Sequence, residues 1–356
     1  MEAKEVLELT PFMLIFLPTL GFLGGLLSGF IGSGGAFVLT PGMMSAGVPG
    51  AVAVASNMCH KFPKALVGAM KRAKLGHVDV FLGLVMGLSA TAGVQVGVKI
   101  QKWINQVWGT AGSNLYVSTI FVLVLLTVGL IVLRDAYRSK NQQVVVAEPG
   151  KLAQKVQKLR IPPMLNFPVA KSKVSFWITV PLGFATGLLA ATIAVGGFIG
   201  VPAMMYILGA SSFVASGTEL VIAFIMGLTG TLSWAYSGYV DLRLALLILF
   251  GSLFGVQLGA IGTSYVKDYM IKLVMALVML IVMVSRLVSI PVYLRDLGKL
   301  ALAPSTAELL KNLSFAIMCL ALVVSGVIIL GAIVKGRRAA RAEELRGVSV
   351  EVPQQP

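Results

Sequence analysis

Ionisable and amide side chains interrupt apolar stretches at a few positions of this 356-residue chain. The candidates for chemistry are His60 and Lys61 in "ASNMCHKF", Glu219 in "SGTELVIAF", Gln95 in "GVQVG" and Gln257 in "GVQLG". A lysine supplies positive charge to an anion, a carboxylate or an imidazole can carry a proton, and an amide can donate hydrogen bonds. These residue types suit the binding of a small anion, provided that the fold brings them together.

Lys61 is the candidate for a fixed positive charge beside the anion. Charged side chains within a membrane helix cost about 2.5–3.5 kcal/mol on insertion scales, so they are few and usually face the protein interior. A second interpretation stays open, because the residue could belong to a basic cytoplasmic stretch that reaches lipid phosphates, with Lys64, Lys71 and Arg72. For His60, a packed or interfacial histidine is the ordinary alternative to a binding or proton-handling role.

Glu219 is the one acidic residue that lies deep in an apolar run. Its carboxylate must be neutralised by protonation, by a cation such as Lys61 or by a coupling proton, and it is our candidate for coupling. A salt bridge that holds two parts of the chain together is the structural alternative. Gln95 and Gln257 favour a role in bridging helices, and their equivalence in the repeat keeps them as secondary candidates for substrate binding.

The remaining polar residues favour structural roles. Asp79 and Asp241 start helices after glycine turns, where a carboxylate caps free backbone N–H groups. Cys59 and Cys319 are most simply packing residues. The chain has two histidines and no cluster of residues with metal-ligand spacing, and "GSGGAF" lacks the lysine of a phosphate-binding loop, so we expect no metal and no cofactor.

The composition indicates the elements that must position these residues. Apolar residues make up 57% of the chain and charged residues 12%, and the mean hydropathy is +0.90. Uncharged apolar runs cover 11–38, 80–98 and 115–133, and a run of about 20 residues is long enough to cross a bilayer as a helix. The sequence therefore predicts an all-α polytopic membrane protein.

An internal repeat appears when the chain is shifted by about 162 residues. "GFLGGLL" (21–27) then matches "GFATGLL" (183–189), "GHVD" (76–79) matches "GYVD" (238–241), and "GVQVG" matches "GVQLG". "PGMM" (41–44) matches "PAMM" (202–205) after a one-residue gap. Such ordered matches indicate a tandem duplication, which is common among transporters.

The distribution of basic residues predicts that the two halves are inverted. Lys71, Arg72 and Lys74 precede "GHVD", whereas the uncharged "WAYS" precedes "GYVD", and cytoplasmic loops carry the excess of lysine and arginine. We expect the N-terminus outside and the tail inside. The predicted organisation is a first transmembrane repeat over 11–133, a basic cytoplasmic loop over 134–173, a second repeat over 174–290, a linker and one extra transmembrane helix over 291–334, and a cytoplasmic tail over 335–356.

Inversion requires an odd number of crossings per half, so one segment of each half must not fully cross. Glycines and prolines mark these broken or re-entrant helices in 33–62 and 195–222, and matching breaks in inverted halves indicate a binding site near the membrane midplane. The half-helices are expected to begin near Gly35 and Gly197 and to offer free N–H groups to an oxyanion. The predicted substrate-binding residues are Ser33, Gly34, Gly35, Ser56, Asn57, His60, Lys61, Gly196, Gly197, Gly217 and Thr218.

Four stretches carry the duplicated glycine motif and its downstream "G-x-VD": "GLLSGFIGSGGAFVLTP", "KALVGAMKRAKLGHVD", "GLLAATIAVGGFIGVPAMM" and "SGYVDLRLALLILFGSLFGVQLG". They resemble the TauE/SafE sulfite-exporter family over about residues 15–100 and 180–290. The resemblance implies a multi-pass secondary transporter in a bacterial inner membrane that moves sulfite or an organosulfonate.

Other function classes receive less support from the residues. A channel, or a transporter of another small anion such as sulfate, is the main alternative, and a membrane-embedded enzyme is a distant third. The expected partners are a small anionic substrate and anionic lipids at the cytoplasmic face, since topology and lipid explain the basic central loop better than nucleic acid does. If transport is coupled to protons, Glu219 is the first choice of carrier.

Overall fold

The computed structural model describes residues 8–31, 35–141, 151–263, 265–266 and 268–344. Seven helices in these ranges are long and apolar enough to cross a membrane, which confirms the all-α multi-pass fold. The elements are α1 (Pro11–Ile31), α2 (Ala36–Ser45), α3 (Gly50–Lys74), α4 (Val80–Asn141), α5 (Lys151–Lys158), β1 (Met164–Phe167), β2 (Ser172–Ser175), α6 (Phe176–Ile193), α7 (Gly197–Ala203), α8 (Ser212–Tyr236), α9 (Leu242–Thr263), α10 (Asp268–Asp296) and α11 (Pro304–Glu344).

Helix α4 consists of two membrane-length parts. Its 62 residues would extend about 93 Å as one straight helix, roughly three times the thickness of a bilayer core. Gly109 interrupts it with φ 61° and ψ −162°, a backbone conformation that glycine adopts readily. The segments before and after Gly109 are therefore each long enough to cross a membrane.

Helix α2 returns along α1 instead of crossing. Gly24 packs against Leu39, and Gly42 packs against Leu20, so the two helices run in opposite directions. Ten residues of helix extend only about 15 Å, too short to span. The half-helix begins beside Gly35, as the glycine pair predicts, and its last turn lies beside the middle of α1, where Gly42 contacts Leu20.

The second half-helix contains a π-helical turn. Helix α7 continues directly into this turn, Met204–Leu208, and ends at Gly209 with φ 81°. A π-helical turn accommodates one additional residue within a helix. This insertion explains why the repeat has a shift of 161 residues at "PGMM" and of 162 residues from α8 onward.

The register of the repeat follows from α3 and α8. Both helices have 25 residues, and their first residues, Gly50 and Ser212, are 162 positions apart. The counterparts of Ser56 and Asn57 are therefore Thr218 and Glu219. The predicted site residues Gly217 and Thr218 are thus the counterparts of Ala55 and Ser56, because the π-helical turn adds one residue before α8.

Glycines bring the first helix of each half close to the fourth helix of the other half. Helix α1 packs along α9, and α6 packs along the first part of α4. A Cβ at Gly21, Gly25 or Gly29 would lie within 2.5 Å of a backbone oxygen of α9, and one at Gly187 would lie 1.9 Å from the backbone oxygen of Ala90. Gly21, Gly25 and Gly29 are spaced by four residues on one face of α1, and such small residues allow close helix packing.

Two reciprocal hydrogen bonds join the halves. The backbone N–H of Asp79 donates to Thr218 Oγ1 over 2.9 Å, and that of Asp241 donates to Ser56 Oγ over 3.1 Å. The equivalent helices α3 and α8 contact each other in antiparallel order, since Met58 lies against Gly230 and Gly68 lies against Leu220. An inverted arrangement would produce this order, and inversion across a membrane stays a prediction.

Single-cysteine labelling checks that prediction. Ala73 follows α3's basic residues, and Ser237 occupies a similar turn after α8, so Ala73→Cys and Ser237→Cys should react with an impermeant thiol reagent from opposite sides of the membrane. Both native cysteines, Cys59 and Cys319, are replaced by serine in this background. Labelling of both positions from the same side would contradict inverted halves.

The central segment is more ordered than the predicted loop. Strands β1 and β2 form an antiparallel hairpin, and the hairpin places the buried side chain of Phe167 against the helices. Asp79 caps α4 through the N–H of Leu82, as predicted, and its second carboxylate oxygen accepts the N–H groups of Val169 and Ala170, both over 3.0 Å. The Asp79 carboxylate therefore fastens the hairpin beside the turn between α3 and α4.

Candidate functional site

A cavity of about 280 Å³ lies beside the break between α1 and α2. Helices α1, α3, α8 and α9 surround it, and its floor includes Gly35 and Ala36 at the amino end of α2. The polar and charged groups that define its chemistry are Asn57, His60, Lys61, Lys64, Arg72 and Glu219.

One face of α3 supplies most of the positive charge. His60, Lys64, Gly68 and Arg72 follow one another at intervals of four residues, so they lie on one side of the helix and face the cavity. Lys64 and Arg72 are not among the site residues predicted from the sequence. The four-residue spacing was the signal that could have found them.

The deep end of the cavity is fixed by a hydrogen-bond network. The Asn57 amide donates to the backbone oxygen of Ala36 over 3.3 Å and to Thr40 Oγ1 over 2.8 Å, which joins α3 to the half-helix α2. Asn57 Oδ1 therefore faces His60 Nδ1 at 3.3 Å, and because a carbonyl oxygen can only accept, His60 Nδ1 carries a proton. The second ring nitrogen of His60 lies 3.0 Å from Ser252 Oγ on α9.

The cations have different environments. Lys64 Nζ donates to Ser28 Oγ over 3.0 Å, and Arg72 donates to Ser216 Oγ over 3.0 Å, so both pair with neutral hydroxyl groups. Lys61 interacts electrostatically with Glu219 across the space between α3 and α8. The cavity thus contains three cationic side chains and one carboxyl group, and its surroundings favour an anion.

Glu219 is buried with 3% of its surface exposed. Neither carboxylate oxygen has a hydrogen-bond partner, and a Cβ at Gly200 would lie 2.2 Å from one of them. The carboxyl group therefore lies against the half-helix α7, while Asn57, its counterpart in the first half, contacts α2. A buried carboxylate without hydrogen bonds is costly, which suits a group that exchanges protons.

The structure brings six of the predicted residues to the cavity: Gly35, Asn57, His60, Lys61, Glu219 and Gln257. Gln95 lies elsewhere, where its amide donates to Ser233 of α8 over 2.7 Å and bridges two helices. The predicted Ser33 and Gly34 lie outside the described residues.

The other second-half residues take packing positions. Gly217 lies against the backbone of His77, and Gly196 lies against the Met226 side chain. Gly197 begins α7 as predicted, and Ser56 and Thr218 form the reciprocal hydrogen bonds between the halves. The cavity is therefore asymmetric, because the first half supplies all of its cationic groups, while the second half contributes Glu219 and Gln257. No group of three or more potential metal ligands occurs within the described ranges.

Comparison with known proteins identifies related transporters. Residues 17–286 match the family described as sulfite exporter TauE/SafE. The chain is 25% identical to the probable membrane transporter protein YunE of Bacillus subtilis over 69% of this chain and 87% of that protein. It is 26% identical to the probable membrane transporter protein YdhB of the same organism over 70% and 91% of the two chains. No solved structure gives a significant match.

Proposed function

The chain belongs to the sulfite exporter TauE/SafE family, and from this premise we propose that it carries a small sulfur oxyanion through the cavity between α3 and α8. It is a multi-pass membrane transporter, not an enzyme. The proposed cargo is sulfite or an organosulfonate, and the proposed location is a bacterial inner membrane.

The excess of positive charge in the cavity is the observation that supports an anionic cargo. Lys61, Lys64 and Arg72 line a space of about 280 Å³ together with a single carboxyl group. Ammonium groups bind sulfonate or sulfite oxygens through charge-assisted hydrogen bonds. An anion that displaces the Lys64–Ser28 hydrogen bond would gain such a charge-assisted bond, and it would remain beside the Asn57 amide.

The amino end of α2 adds to the attraction. Gly35 and Ala36 line the cavity at the start of this half-helix, where the helix dipole is positive and backbone N–H groups can bind an anion. Broken helices in transporters place such ends against anionic substrate groups. We therefore place the oxyanion between Lys61, Lys64 and the start of α2.

Glu219 supplies the proposed coupling to protons. Its oxygens have no hydrogen-bond partners, and its electrostatic partner Lys61 lies in the same cavity as the proposed anion site. An anion at Lys61 would compete with the Glu219 carboxylate for that positive charge, so protonation of Glu219 would accompany anion binding. This competition couples the two ions without requiring contact between them.

A binding screen of the purified protein tests the cargo. The ligands are sulfite, sulfate, thiosulfate, taurine, sulfoacetate and isethionate, and thermal stabilisation of the protein is the measurement. We expect at least one sulfite-like or sulfonate anion to stabilise the protein, by about 2.7 kcal/mol at a concentration one hundred times its Kd. Stabilisation by an unrelated solute, with no effect of any sulfur oxyanion, would contradict the assignment.

A further inference from the structure

The second half contains a counterpart of the cavity that is filled by apolar side chains. The shift of 162 residues relates Lys61 to Ala223, Lys64 to Met226, and Arg72 to Trp234. Met226 and Trp234 are fully buried, with 1% and 0% of their surfaces exposed. The positions that form an open basic cavity in α3 therefore form closed apolar packing in α8.

Two methionines close this second region. The terminal methyl group of Met58 lies where a Cβ of Gly230 would be, at 2.2 Å, and that of Met226 lies 2.4 Å from the Cβ position of Gly196. Each methionine thus occupies space that a glycine of the second half leaves open. Methionine is flexible and fills irregular gaps, so these side chains can move without a large change of the backbone.

An open groove of about 690 Å³ lies next to this packing, between α8 and the first part of α4. Its lining residue Gln95 follows Val94, which contacts Gly230 beside Met58, and its lining residue Ser233 precedes Trp234. Lys99, Lys102, Gln95 and Ser233 line it. Gln95 is the repeat counterpart of Gln257, which lines the cavity at α9. Val98 of the groove is likewise the counterpart of Ala260 in the cavity. The groove is therefore basic, and on the α4 side its lining corresponds to the α9 side of the first cavity.

We propose that this groove is the second entrance for the transported anion, and that Met58, Met226 and Trp234 form a gate. In the conformation described, this gate closes the path from the groove to the centre of the protein. The proposal rests on the proposed transport function and adds the route that the anion takes through the protein. Opening of the gate would connect Lys99 and Lys102 with the region of Glu219, while closure of the first cavity would seal Lys64 and Arg72. The anion would then meet cationic side chains at both ends of its path.

Accessibility of a cysteine at Ala223 tests the gate without any substrate. Ala223 lines the cavity and is the counterpart of Lys61, so Ala223→Cys reports access to the centre in a background of Cys59→Ser and Cys319→Ser. An impermeant thiol reagent is applied from the side of the groove. We expect Met58→Ala with Met226→Ala to accelerate labelling about tenfold, because weakening closed-state packing by about 1.4 kcal/mol shifts the open fraction by that factor.

A matched substitution separates gate opening from general loosening. Met279 is fully buried in α10 and lies away from the groove, so Met279→Ala should leave the labelling rate unchanged. An unchanged rate in the folded double variant, or an equal increase in Met279→Ala, would overturn the gate. Failure of the sulfur-anion screen would not affect this result, since labelling requires no ligand.

A cross-link tests the same gate in the transporting protein. The Met58 side chain reaches the Cβ position of Gly230, and a disulfide between Met58→Cys and Gly230→Cys should hold the gate closed. We expect oxidation to abolish flux and reduction to restore it, with anion binding from the cavity side retained. Undiminished flux through fully cross-linked protein would overturn the proposal. This test remains valid if the alanine variants do not fold.

Discussion

Replacement of Lys61 or Lys64 by methionine is expected to weaken binding of the transported anion by about ten- to one-hundredfold. Each substitution removes a hydrogen bond between charged partners, which contributes about 1.5–3 kcal/mol, and about 1.4 kcal/mol corresponds to a tenfold change in Kd. Methionine retains the length and the apolar stem of lysine, so the packing of α3 changes little. Titration calorimetry of the purified variants measures the effect.

Two controls make this result specific. Lys173→Met removes an exposed lysine from the hairpin and should leave the Kd unchanged. Lys61→Met also leaves Glu219 without its nearby cation, so the double variant Lys61→Met/Glu219→Gln separates lost attraction from an unbalanced carboxylate. If a folded Lys61→Met protein binds the anion with unchanged affinity, Lys61 has no role in the site.

Glu219→Gln is expected to abolish the stimulation of anion transport by a pH gradient. A gradient of about one pH unit is worth about 1.4 kcal/mol per coupled proton, enough for about tenfold accumulation of the anion in wild-type proteoliposomes. Glutamine keeps the shape of the side chain but cannot exchange a proton, so flux in the variant should be equal with and without the gradient. Anion exchange across the same vesicles should persist.

Glu308→Gln is the matched control for this experiment. Glu308 is exposed near the start of α11 and lies far from the cavity residues in sequence, so the pH gradient should drive transport in this variant as in the wild type. If a pH gradient still drives flux in Glu219→Gln, Glu219 is not the proton carrier, and coupling depends on His60 or on another ion.

The sequence predicted the half-helices because their signals are local. Glycine and proline interrupt a helix wherever they occur, so the glycine pairs before α2 and α7 marked both breaks. The capping role of Asp79 was also predictable, since a carboxylate after a glycine turn binds the first N–H groups of a helix. Lys61 and Glu219 were predicted because charged groups in apolar runs are costly, and Asn57 was predicted because it is a polar residue at the break of the first half.

The parts that the sequence did not reveal depend on contacts between distant segments. The π-helical turn at Met204–Leu208 shifts the register by one residue, and only the equal lengths of α3 and α8 show it. Lys64 and Arg72 were indistinguishable from a lipid-facing basic stretch until α1 and α8 were placed beside them. The hairpin is held by the carboxylate of Asp79, about 90 residues earlier in the chain.

Counterflow of labelled sulfite in proteoliposomes tests the central claim, that the cavity carries a sulfur oxyanion, most directly. Vesicles loaded with unlabelled sulfite or with the sulfonate found to bind are diluted into the labelled anion. We predict transient, saturable accumulation by the wild type and none by Lys61→Met/Lys64→Met. Non-saturable flux proportional to the driving force would indicate a channel, and equal accumulation by wild type and double variant would contradict transport through this cavity.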